Sequence, residues 1–208
     1  MTVAAGIDVA RFGRDMTAVV IVEDTKVFAM QEWNKTDLMT SVGKVRAICD
    51  DHKVDILAID DTGVGGAITD RLLELYEEGE IEFEILAVNF GSKANEEDRF
   101  HNKGSEIYWR LHETLDPDTE ETLKLPRHHP LIQKLVSQLS KVMHSHDSRE
   151  RIWVDKTGAK GQQKRVGDPE PPSPDLADAL CLALEAWSNF WDAPQQPRKY
   201  HGTSFLNG

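Results

Sequence analysis

The chain has 208 residues, enough for one domain with a sizeable core or for a domain plus a tail. Its 39% hydrophobic and 29% charged residues are typical of a soluble globular protein, and no apolar stretch is long enough to cross a bilayer. The net charge of −12 argues against a general nucleic-acid binder, although base gathers locally at Lys156, Lys160, Lys164 and Arg165.

The first residues lack the basic-then-apolar pattern of a secretion signal, so the chain is not expected to be secreted. Apolar runs over residues 3–9 and 17–23, with the turn Arg11-Phe12-Gly13-Arg14-Asp15 between them, read as two buried strands. A third strand covers 26–33, and the short connections predict an antiparallel meander. Thr36 or Asp37 caps a helix that carries Leu38, Val42, Val45, Ile48 and Cys49 on one face. A fourth strand over 54–59 ends at Asp60-Asp61; a helix between strands favours a parallel, right-handed crossover. Gly63-Val64-Gly65-Gly66 lacks the Lys-Ser/Thr of a phosphate loop and reads as a tight strand-to-helix turn. A helix through Ile68 and Leu75, a fifth strand over 83–88 and a long polar loop over 89–102 follow.

Further on, helices carry Ile107 to Leu115 and, from Pro130, Leu131 to Leu139. Residues 151–155 read as a short strand and 157–167 as the tip of a basic hairpin. Ser173 and Pro174 suit the N-cap and first position of a last helix through Leu176, Leu180, Leu184 and Trp187. Residues 192–208 have no apolar period and read as a flexible tail, leaving 1–191 as the domain. Cys49 and Cys181 fall in apolar helical patterns and look like core residues. His128-His129 and His144-x-His146 lack the Cys or acid partners of a zinc site and read as surface histidines. This order is that of an α/β domain with a ribonuclease-H-like mixed five-stranded sheet flanked by helices and a basic β-hairpin before the last helix.

Asp8 is an odd acid at the end of an apolar strand, since a buried carboxylate is costly unless something pairs with it. The predicted order brings it beside Asp60-Asp61, at the end of the neighbouring strand. Asp175 and Asp178 share one face of the last helix at i, i+3 spacing. Each acid has a mundane reading alone, as a turn former or a first-turn helix acid. Together they would repel, by about 4 kcal/mol for two unit charges about 4 Å apart at an effective dielectric of about 20. Such a set calls for protonation or a hard cation, Mg²⁺ or Mn²⁺. Two such ions about 3.5–4 Å apart are the known clamp for in-line phosphoryl displacement.

With Gly6-Ile7-Asp8-Val9-Ala10-Arg11-Phe12-Gly13-Arg14-Asp15, Ile59-Asp60-Asp61-Thr62-Gly63, Phe100-His101-Asn102-Lys103 and Ser173-Pro174-Asp175-Leu176-Ala177-Asp178 in place, the sequence resembles the nuclease domain of the large terminase subunit of tailed bacteriophages. The resemblance covers most of residues 3–191. It implies a metal-dependent endonuclease that cuts double-stranded viral DNA during genome packaging, in the cytoplasm of an infected bacterium. Asp8, Asp60 and Asp175 would be the catalytic acids on two Mg²⁺ or Mn²⁺ ions. Asp15, Asp61 and Asp178 would complete the metal site. Asp60 is preferred to Asp61 because it shares strand parity with Ile56 and Ala58. Lys156, Lys160, Lys164 and Arg165 match the family's basic, DNA-positioning hairpin. The family's full-length protein works with an ATPase motor, a small terminase subunit and the portal. This chain has no Gly-x-x-x-x-Gly-Lys-Ser/Thr, so it is expected to be an excised or separate nuclease domain, unable to translocate DNA alone. The alternatives are a junction-resolvase-like, structure-selective nuclease, or a DNA- or packaging-partner-binding domain inactive without its motor.

Overall fold

The computed structural model describes residues 1–10, 16–119, 122–157 and 173–192. The turn with Asp15, the acidic pair at 120–121, the basic residues Lys160, Lys164 and Arg165, and tail residues 193–208 lie outside the described residues.

β1 (Val3–Asp8), β2 (Thr17–Glu23) and β3 (Lys26–Trp33) form the expected antiparallel meander. After α1 (Leu38–His52), β4 (Ile56–Asp60) returns parallel to β1. α2 (Val64–Glu77) then leads to β5 (Glu84–Val88), parallel to β4. The sheet order is β3-β2-β1-β4-β5, the ribonuclease-H-like mixed sheet. Asp37 caps α1 by accepting the Thr40 N–H at 3.0 Å.

Strand alternation sends side chains to two cores. Ala5, Ile7, Val19, Ile21, Leu57 and Ile59 pack on the α1–α2 side. Ala4, Ala18, Val20, Ile56 and Ala58 face the other side, which is covered by α3 (Lys103–Thr114), α4 (Ile132–Leu139) and α5 (Asp175–Asp192). The residues of that face nearest α5 are small. A Cβ on Gly6 would lie 2.1 Å from the Ala179 carbonyl oxygen and 2.2 Å from the Ala183 nitrogen, so the start of α5 rests directly on β1. Gly65 serves the same purpose behind β4: its Cβ would meet the Asp60 carbonyl oxygen at 1.7 Å. Both sites admit glycine alone because backbone, which cannot swing aside, occupies the space.

Most of the expected basic hairpin tip, residues 158–167, lies outside the described residues. Ahead of it the structure adds a hairpin that the sequence did not show: β6 (Met143–His146) pairs with β7 (Ile152–Asp155) across a turn at residues 147–151. All four β6 residues are exposed, so the strand has no apolar alternation to reveal it. α4 begins two residues after Pro130 because a turn, closed by the Ile132 N–H on the His129 carbonyl, intervenes.

Candidate active site

Asp8 ends β1 with the parity of Ala4 and Gly6, and Asp60 ends the parallel neighbour β4 with the parity of Ile56 and Ala58. Both therefore project toward the face covered by α5. The first turn of α5 supplies Asp175 and Asp178, which are 5% and 1% exposed. The sheet ends and one helix start thus bring four carboxylates together. Asp61 leaves this group. It is exposed, and its Oδ1 lies over the first turn of α2, 3.6 Å from where a Gly66 Cβ would stand.

Three of the acids are held by different sets of donors. Asp60 Oδ1 accepts from the Thr62 N–H at 3.1 Å and the Thr62 hydroxyl at 2.9 Å, so the turn after β4 fixes its rotamer. Asp175 Oδ2 accepts the Met16 N–H at 3.0 Å, tying α5 to the start of β2. Asp178 Oδ1 accepts the Tyr108 hydroxyl at 2.8 Å, and its Oδ2 accepts the Lys156 ammonium at 2.5 Å. From α4, Gln138 Oε1 accepts the Ala177 N–H at 3.1 Å and so steadies the turn that carries Asp175 and Asp178.

The electrostatics are strained. Desolvation, then repulsion from Asp178, Asp175 and Asp60, pushes the Asp8 carboxyl well above the ordinary carboxylate range, although Lys156 opposes the shift. Burial likewise raises Asp178, against the pull of Lys156 and Tyr108. Burial works against the Lys156 ammonium, but Asp178, Asp8 and Asp60 outweigh it and hold its pKa above the usual lysine value. Lys156 also lies over the Phe90 ring at 5.2 Å. Sequence reasoning assigned it to a DNA-contacting stretch; the structure places its ammonium against the acids.

Among the described residues no group of three or more His, Cys, Asp or Glu side chains stands ready as a metal cage. The donor chemistry nevertheless suits a hard cation. Among the described residues Lys156 is a cation acting on Asp178, Asp8 and Asp60, the acceptors are oxygen, and burial with like charge drives Asp8 toward its protonated form.

Tyr108 and Gln138 were not legible as site residues. Tyr108 sits in the apolar stripe of α3 and reads as a core ring; the usable signal is that a buried phenol needs a partner. A second polar cluster sits on the hairpin. His101 Nδ1 and Asp147 Oδ2 are 2.9 Å apart, Arg151 reaches the same oxygen at 2.7 Å, and the His101 ring stacks on Trp153. The other histidines behave as expected of local structure: His129 accepts the Leu131 N–H, and His144 packs edge-on against Trp109.

No family model matches the chain, and no curated protein matches it. Solved structures do. The nuclease domain of the large terminase subunit gp2 of bacterial virus Sf6 superimposes with a TM-score of 0.74 at 18% identity, over 88% of each chain. The large terminase nuclease of thermophilic phage G20c gives 0.56 at 16% identity, over 88% of this chain and 81% of that one. The nuclease domain of the Thermus phage P74-26 large terminase gives 0.55 at 12% identity, over 88% of this chain and 77% of that one. A mutant Sf6 domain has also been solved with manganese, and the G20c nuclease with magnesium. At these identities the likeness establishes a shared fold.

Proposed function

We propose that this chain is a divalent-metal-dependent endonuclease that cuts double-stranded DNA, the nuclease part of a phage genome-packaging terminase. The observation that carries this reading is the convergence of Asp60, Asp175 and Asp178, from two further elements, on the buried-strand acid Asp8. The fold shared with three phage terminase nucleases, two of them known with manganese or magnesium, supports it.

In this reading Asp8, Asp60 and Asp175 hold Mg²⁺ or Mn²⁺, with two ions as the proposed number. Asp178 completes the site from the α5 side, and Asp15 and Asp61 are proposed as outlying ligands. Bound metal supplies a water of lowered pKa and a counter-charge for the phosphodiester. The protein's part is to position. Asp60 is locked by Thr62 and Asp175 by the Met16 backbone, so neither carboxylate has to be ordered when substrate arrives. The Lys156 side chain is 41% exposed, and its ammonium is placed to meet a phosphate oxygen beside the acids. Lys160, Lys164 and Arg165 are proposed to extend that contact along the duplex. Residues 1–191 are proposed as the nuclease unit and 192–208 as a tail. An ATPase motor, a small subunit and a portal are proposed as partners, inside an infected bacterium.

Plasmid cleavage tests the assignment. With Mg²⁺ or Mn²⁺ the wild-type chain should nick and linearise supercoiled DNA, and Asp8→Asn should lower the rate by at least about 100-fold, in keeping with loss of charge stabilisation at the reacting phosphate. Unchanged cleavage by a folded Asp8→Asn variant would remove the assignment. A strong preference for four-way junctions over linear duplex would transfer it to a structure-selective nuclease.

A further inference from the structure

The two oxygens of Asp178 are held in unequal ways. Oδ2 accepts from Lys156, a long flexible side chain that is 41% exposed. Oδ1 accepts from the Tyr108 hydroxyl at 2.8 Å, and Tyr108 is only 5% exposed. Its ring is packed on α3 among the core residues under α5, with Ile107 and Leu111 as neighbours in the same cluster. The phenol cannot withdraw without opening that core. When positive charge enters the acid group, Lys156 can give up Oδ2, but Tyr108 keeps Oδ1.

We propose that Tyr108 is a positioning residue that tunes the choice of metal ion by biasing Asp178 toward coordination through one oxygen. The inference rests on the metal-dependent reading above. A carboxylate oxygen that already accepts a buried hydrogen bond is the weaker metal donor, so coordination through the other oxygen alone is favoured. Ca²⁺ accepts six to eight oxygens and takes bidentate carboxylates readily. Mg²⁺ demands near-octahedral geometry, keeps several waters, and is well served by single-oxygen acids. A buried donor on Oδ1 therefore disfavours the larger ion without touching either one. Tyr108→Phe removes the hydroxyl and keeps the ring.

The test is direct ion binding, without DNA or turnover. Free Mn²⁺ is followed by its electron paramagnetic resonance signal during titration of the full chain, and Ca²⁺ affinity is obtained by competition. In Tyr108→Phe the preference for Mn²⁺ over Ca²⁺ should fall by about tenfold, the lower end of the effect of losing a hydrogen bond behind a metal ligand. Melting curves check that the variant is folded. In an Asp178→Asn background the same substitution should leave the preference unchanged, because the oxygen it releases is no longer a carboxylate oxygen. An unaltered preference in Tyr108→Phe, or equal losses for both ions, would overturn the role of Tyr108 and leave the metal reading standing. Failure of the wild-type chain to bind either ion saturably would overturn both.

Discussion

At the residue scale, the same side chain type does opposite electrostatic work at two places. Asp8 is held above the ordinary carboxylate range by burial and like charges, a perturbation common at functional sites. Asp147 is held far below it, first by the hydrogen bond from His101 and then by Arg151 and two backbone N–H groups. A lowered carboxyl pKa contributes stability that is fully present above the unfolded value of about 3.9 and disappears as pH falls through the folded value. Asp147→Asn should therefore lower the melting temperature at pH 7. The gap from wild type should narrow steadily below about pH 4. Melting curves across pH check this, and a gap that widens toward acid would contradict it. Parity made Asp60 legible over Asp61, because period-two alternation extends to the last strand residue and stops where the turn begins. The partners of Asp178 were not legible: Tyr108 lies 70 residues away and shows a core pattern.

At the element scale, the site exists because α5 can lie close to β1. Gly6 and the alanines Ala177, Ala179 and Ala183 leave backbone against backbone, and this contact sets the height at which Asp175 and Asp178 stand over Asp8. Gly6→Ala forces the helix outward. It should destabilise the chain by about 3 kcal/mol, the upper part of the range for overpacking a core. Urea unfolding measures this. A loss under about 0.5 kcal/mol, the size of an ordinary surface change, would mean that α5 moves freely on the sheet. β1, β2, β4 and α5 were readable because their burial leaves strong apolar runs, while the half-exposed β3 and β5 were read from shorter apolar runs between turns. β6 was not, since an exposed four-residue strand gains its order from pairing with β7 and from the hairpin turn. A buried ion network on α3 and α5 was also invisible in sequence: Lys103 bridges Glu106 at 3.2 Å and Glu185 at 2.8 Å, while Arg110 meets the same two acids at 3.2 Å each. Such long-range partners follow from tertiary packing, and local spacing shows only the i, i+3 and i, i+4 halves.

At the scale of the whole molecule, a chain of net charge −12 must present its base locally if it is to hold DNA. The proposed contacts at Lys160, Lys164 and Arg165 then make a quantitative claim. Each neutralised phosphate adds about 0.9 to the steepness with which duplex affinity falls with salt on a double-logarithmic plot. Replacing all three by Ala should reduce that slope by about 2 to 3. Fluorescence anisotropy with a labelled duplex across salt concentrations measures it, and an unchanged slope would move the DNA path elsewhere.

The fold assembles acids from residue 8 to residue 178 at the C-terminal ends of the central strands β1 and β4, and the central claim is that this end of the sheet is a metal site. The most direct measurement is anomalous diffraction at the manganese absorption edge from crystals soaked in Mn²⁺. The account predicts a peak in contact with Asp8 and at least one of Asp60 and Asp175, with Lys156 displaced from Asp178. Peaks confined to surface carboxylates outside this group, such as Asp50 and Asp51, with Lys156 still seated on Asp178 at saturating Mn²⁺, would contradict it.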